Sequence, residues 1–125
     1  MDTNQFQDNV IENTWLWLVK IIAGLGIFIF LTIHLIANHL IVPEGLLSYA
    51  DILRYYSNPI VPIMEAGFLF FAIVHSLLGL RSIILDLNPS PKTMRFINPL
   101  IIVVGSVAII YGLWILLLLI KRVNT

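Results

Sequence analysis

Three histidines stand inside apolar sequence, at positions 34, 39 and 75. The stretch "HLIANHL" (34–40) puts His34, Asn38 and His39 where a membrane helix ordinarily carries Leu or Val. The stretch "HSLLGLRSIILD" (75–86) puts His75, Gly79, Arg81, Ser82 and Asp86 in a second apolar run. An ionisable group in hydrocarbon is costly, and it is kept where it pairs, ligates or moves protons. Imidazole can do all three, and it is the commonest metal ligand among side chains. His34 and His75 are thus candidate ligands, with a hydrogen-bonded structural role open for each. His39 reads first as structural. Glu65 lies near the start of the second run, where the helix dipole favours a carboxylate; proton transfer is its other reading.

The chain has no cysteine. That excludes disulfides, thiolate metal sites, iron–sulfur clusters and covalently attached c-type haem. Net charge is zero, so there is no electrostatic footprint for nucleic acid. Of the 125 residues, 59% are hydrophobic and 11% charged, too little charge for the surface of a water-soluble domain.

The elements that must position the histidines are membrane helices. Three apolar runs reach the roughly 20 residues needed to cross a bilayer. The expected spans are residues 16–42, 60–85 and 100–120, in one domain over 1–125. Pro43 closes the first, Pro59 and Pro62 open the second, and Pro99 is expected to start the third. The polar leader before Trp15 lacks a basic region and a cleavage site, so the first run is expected to be retained. Between the first two spans, Leu46, Tyr49, Leu53 and Tyr56 recur at helical spacing, which predicts an interfacial helix over 46–56. The fold class is therefore all-α membrane protein, with three transmembrane helices and a short interfacial one. Lys20, Arg81, Lys92 and Arg95 fall on the N-terminal side, against Arg54, Lys121 and Arg122 on the other, which favours an inside N-terminus.

Helical geometry sorts the polar residues by face. Lys20, Ala23, Ile27, Leu31, His34, Asn38 and Ile41 share a stripe, while His39 lies about 140° from His34. Met64, Phe68, Phe71, His75, Gly79, Ser82 and Asp86 share another. Gly79, one turn from His75, leaves room for a flat ligand against the imidazole. Arg81 points off that stripe, with a stem long enough to snorkel. In the third span, Gly105, Ala108 and Gly112 form a small-residue stripe suited to close helix packing. Depth separates the two buried histidines. Antiparallel helices rising 1.5 Å per residue put His34 and His75 about 12 Å apart along the membrane normal. Two imidazole nitrogens on one iron lie only about 4 Å apart, from bonds near 2 Å. The pair cannot share one iron.

The segment 75–86 resembles the H-x-x-x-G-x-R-x-x-x-x-D motif of the cytochrome b membrane-anchor subunits of succinate dehydrogenase. "IFLTIHLIANHL" (29–40) is similar to the first-helix segment of the di-haem anchors of that family. The resemblance covers most of the chain from Trp15 to Asp86. It implies half of a haem-binding helical bundle, itself non-catalytic, in a succinate:quinone oxidoreductase. It implies haem b, two per complex, with His34 ligating the distal and His75 the proximal iron, and quinone as substrate. It implies a flavoprotein subunit, an iron–sulfur subunit and a second anchor as partners, alongside membrane lipid, in a bacterial or archaeal cytoplasmic membrane with the N-terminus on the cytoplasmic side. Lys20, Arg81 and Ser82 are expected to line the inner polar region where propionates or quinone sit, with Asp86 nearby. His39 is left to a propionate or a loop carbonyl. Two departures stand out: Ser82 occupies a position where many mono-haem relatives have His, and Leu87 one where some partner anchors have a quinone-binding Tyr. The rival readings are a quinol:fumarate reductase anchor and a haem-free subunit relaying protons through His34, Glu65 and His75.

Overall fold

The computed structural model describes residues 13–41 and 48–125. The leader, Val42 and Pro43 at the close of the first run, and Leu46 at the expected start of the interfacial helix lie outside the described residues. Helix α1 covers Thr14–Ile36 and continues as a π-helical turn, Ala37–Ile41. Helix α2 covers Tyr49–Tyr56, α3 Ile60–Asp86 and α4 Pro91–Val123. Helices α1, α3 and α4 are each long and apolar enough to span a membrane. The protein is an all-α integral membrane protein.

Local chemistry sets the helix starts. The Asn13 side chain accepts from the Trp15 amide at 3.0 Å, which caps α1. Ser48 and Asp51 form a reciprocal capping box on α2, with bonds of 3.2 and 3.0 Å. Asn58 accepts from the Ile60 amide at 3.1 Å, ahead of the Pro59 and Pro62 entry to α3. One start differs from expectation. Helix α4 begins at Pro91, and Pro99 lies inside it. Ser90 as cap and Pro91 in the first turn together supply a better start than Pro99 does. A membrane helix tolerates an interior proline because neighbours re-satisfy the freed carbonyl. The connection from α3 shrinks to a turn around Asn88, whose φ of 50° is a left-handed value that Asn accepts.

Helix α3 lies between the other two long helices. It packs on α1 along one side and α4 along the other, and α1 and α4 do not meet among the described residues. Short α2 rests on α4 and the start of α3. Among the described residues few side chains are buried: Ala23, Val61, Met64, Leu85 and Met94. Most large apolar side chains point outward, as they do where the solvent is lipid. With no hydrophobic drive between helices in lipid, close approach does the work, and small residues permit it. Gly26 faces the Phe71 ring and Gly67 the Phe30 ring, and those two rings stack at 5.6 Å. Gly105 against Leu77, and Gly112 against Leu69, seat α4 on α3, which is the role expected of that stripe.

Alanine at two of these glycines should have opposite effects. A Cβ at Gly26 would lie 2.7 Å from the Phe71 ring, so Gly26→Ala should cost about 1–3 kcal/mol by overpacking. A Cβ at Gly79 meets nothing within 4 Å, so Gly79→Ala should be neutral or gain up to about 1 kcal/mol of helix propensity. Thermal unfolding of the chain in detergent micelles measures both; equal losses would contradict the packing described.

Candidate functional site

The first cluster lies at the Lys20 end of the α1–α3 seam. His75 Nδ1 sits 3.0 Å from the Lys20 main-chain oxygen. A carbonyl only accepts, so Nδ1 carries the proton, and in the neutral ring Nε2 carries the lone pair. Nε2 has no hydrogen-bond partner among the described residues. The ring rests on Gly24, where a Cβ would come within 3.0 Å of Cε1. One turn along α3, the space beside Gly79 is open. Beyond it, Lys20 Nζ donates to Ser82 Oγ at 2.7 Å, and Ser82 Oγ donates to the Leu78 carbonyl at 3.0 Å. Lys20, His75, Gly79 and Ser82 thus come together. Arg81 does not join them: its Nε donates to Asn98 Oδ1 at 2.9 Å, which ties α3 to α4. Asp86 is exposed at the last residue of α3.

The second cluster lies at the other end of the same seam. His34 Nδ1 is 3.0 Å from Glu65 Oε1, and the Asn38 amide is 3.0 Å from His34 Nε2. The two bonds fit one tautomer, with Nδ1–H donating to the carboxylate and Nε2 accepting from Asn38. Phe68 stacks on the imidazole at 5.7 Å. Glu65 is the more covered partner, 17% exposed against 31% for His34. Asn38 reaches Nε2 from the π-helical turn, a distortion often found at functional sites. His39, in the same turn, is exposed and outside the cluster.

The clusters are well separated. Gly24, under His75, and His34 are ten residues apart on α1, as are Glu65 and His75 on α3. At 1.5 Å per residue that is about 15 Å along the seam. Among the described residues, no three His, Cys, Asp or Glu side chains gather as a metal-ion site. A haem that needs one imidazole from this chain suits the donors present. His75 offers the usual arrangement, with one ring nitrogen fixed on a carbonyl and the other bare. At His34, Glu65 supplies the equivalent support, and Asn38 would have to turn off Nε2 before the ring could ligate.

Several contributors were not evident in the sequence. Gly24 and the Lys20 carbonyl act through the backbone, which residue type does not report. Tyr55 and Tyr56 turn inward on α2 toward Glu65. Asn38 Oδ1 and the Tyr55 hydroxyl are buried there without hydrogen-bond partners among the described residues. Burial, and then the Glu65 charge, pushes the Tyr55 phenol above its ordinary range. The same two causes, followed by Tyr55 itself, push Tyr56 up to about 12. The adjacent tyrosines three and four residues before Pro59 are the one sequence signal that points to this.

A family model described as succinate dehydrogenase/fumarate reductase transmembrane subunit matches residues 7–112. The chain is 28% identical over 100 residues to the succinate dehydrogenase hydrophobic membrane anchor subunit of Archaeoglobus fulgidus, covering 80% of this chain and 85% of that one. It is 32% identical over 96 residues to the succinate dehydrogenase 2 membrane subunit SdhC of Mycobacterium tuberculosis, covering 74% of this chain and 66% of that one. No solved structure shows a significant match.

The tyrosine pair gives a pH test. A phenol whose folded pKa is raised stabilises the fold fully below its ordinary value of 10.0, and that contribution is lost as pH rises toward about 12. Tyrosinate absorbance during alkaline titration should show Tyr56 ionising late, with α2 losing its docking in that window. In Glu65→Gln it should ionise earlier, because the opposing charge is gone. Ionisation near 10 in the unsubstituted protein would contradict its burial beside Glu65.

Proposed function

The chain belongs to the succinate dehydrogenase/fumarate reductase transmembrane subunit family, and from that premise we propose that it anchors a succinate:quinone oxidoreductase, holds haem b and helps pass electrons from an iron–sulfur subunit to quinone. The observation that carries this reading is His75, whose Nδ1–H is spent on the Lys20 carbonyl while Nε2 has no hydrogen-bond partner among the described residues, one helical turn from the open space at Gly79. Haem, when bound, supplies one-electron transfer at a potential set by its ligands and surroundings. His75 would hold the haem iron through Nε2 in a fixed tautomer, and the apolar seam around it would keep water away. His34 would hold a second haem once Asn38 turned off Nε2, with a second anchor subunit supplying the remaining ligands. Lys20 and Ser82 face a propionate or the quinone head, because a charged donor at reduced dielectric binds carboxylate strongly. Arg81 and Asp86 lie at the same end, in lower contact with the site.

A flavoprotein subunit and an iron–sulfur subunit complete the complex at the end that carries Lys20, Arg81, Lys92 and Arg95. The positive-inside rule makes that the cytoplasmic side of a bacterial or archaeal membrane. Both relatives are named as succinate dehydrogenase subunits, which favours succinate oxidation over the reverse reaction.

Single substitutions in the purified complex test the ligand assignment. His75→Ala and His34→Ala should each remove about half the b-type haem, read from the dithionite-reduced spectrum and the extracted haem per complex. His39→Ala should retain all of it. Full haem in both His75→Ala and His34→Ala would overturn the assignment, as would loss of haem in His39→Ala alone.

A further inference from the structure

We propose that Gly24 is a positioning residue for the imidazole of His75, forming with the Lys20 carbonyl a seat on α1 that fixes which ring nitrogen is presented and where. The inference rests on the reading of His75 as an axial ligand. Lys20 and Gly24 are one helical turn apart. The Lys20 oxygen accepts the Nδ1–H at 3.0 Å. The absent side chain at Gly24 lets the ring lie against the backbone of that turn. A Cβ there would stand 3.0 Å from Cε1 and 3.1 Å from Nδ1, but 4.0 Å from Nε2. Carbon atoms are comfortable at about 3.5–4.0 Å. A methyl group would therefore press on the edge of the ring that makes the hydrogen bond and spare the edge that is free.

Two effects follow from that asymmetry. Pushing Nδ1 away stretches or breaks its bond to the carbonyl and leaves a donor unpaired at reduced dielectric, a costly state. The ring then turns or changes tautomer, and Nε2 moves with it. The carbonyl bond also raises the basicity of the ligating nitrogen. A more basic ligand favours the oxidised iron, so weakening the bond raises the reduction potential. Gly26 provides a contrast: it seats Phe71, one turn along α3, through an even closer contact, 2.7 Å against 3.0 Å, and touches no imidazole.

Gly24→Ala and Gly24→Val, with Gly26→Ala as the packing control, test the proposal in the purified complex. Gly24→Ala should weaken retention of the His75-dependent haem by about tenfold, the scale on which outer partners of metal ligands act. It should also raise the midpoint potential of that component and open the reduced iron to carbon monoxide. Gly24→Val should do so more severely. Gly26→Ala should lose thermal stability with the His75 component unchanged in potential and spectrum. Unchanged retention, potential and carbon monoxide response in both Gly24 variants would overturn the proposal, provided that His75→Ala does lose haem. If His75→Ala keeps its haem, the ligand reading beneath the proposal has failed instead. Should the Gly24 variants fail to fold, ring-nitrogen NMR of the unsubstituted chain in micelles decides. A protonated Nδ1 and bare Nε2 on His75 support the seat, and the opposite tautomer overturns it.

Discussion

A polar side chain at hydrocarbon depth has no water to satisfy it, and the seam between α1 and α3 is organised around that constraint. Each of its imidazoles meets the other helix through Nδ1: His75 reaches the Lys20 carbonyl and His34 the Glu65 carboxylate. Lys20 reaches Ser82 across the same seam. The polar groups therefore do not merely decorate the helices. They fix the antiparallel register, because a slip of one turn would separate every one of these pairs at once. Aromatic rings seated on glycine hold the stretch between them, Phe71 on Gly26 and Phe30 on Gly67.

The seam also explains why α3 is central. It carries two working faces, one toward α1 with the histidine clusters, and one toward α4 with Leu69, Leu77 and Arg81. The α4 contact is almost wholly a matter of shape, through Gly105 and Gly112, with the Arg81–Asn98 bond near one end. The three long helices thus form an open layer with its apolar side chains turned outward. Such a layer suits a family whose members work as membrane subunits, and it matches the proposed half-bundle that a second anchor would complete.

Much of this was legible in the sequence. Run length gave three spans, and stripe geometry put His34 and His75 on faces that do meet, at different depths. Stripes predict faces because 3.6 residues per turn is a property of the backbone, independent of neighbours. Helix α4 starts eight residues before Pro99, because Ser90 and Pro91 form a stronger opening than Pro99 does. The partners of the histidines were less legible for a different reason. Gly24 acts by lacking a side chain, the Lys20 carbonyl belongs to no residue type, and Tyr55 and Tyr56 meet Glu65 only after the chain reverses. Arg81 illustrates the limit of spacing alone. Its stem could reach either side, and Asn98 on α4 offers the acceptor.

We propose that this chain holds haem iron at two depths through His34 and His75. Optical redox titration of the purified, unsubstituted complex tests it most directly, with the subunits identified by mass spectrometry. The account predicts two b-type components of distinct midpoint potential, in a complex that also contains flavoprotein, iron–sulfur and second anchor subunits. A complex of that composition with no b-type haem would contradict it, and would leave the two histidines as structural partners of Glu65 and the Lys20 carbonyl.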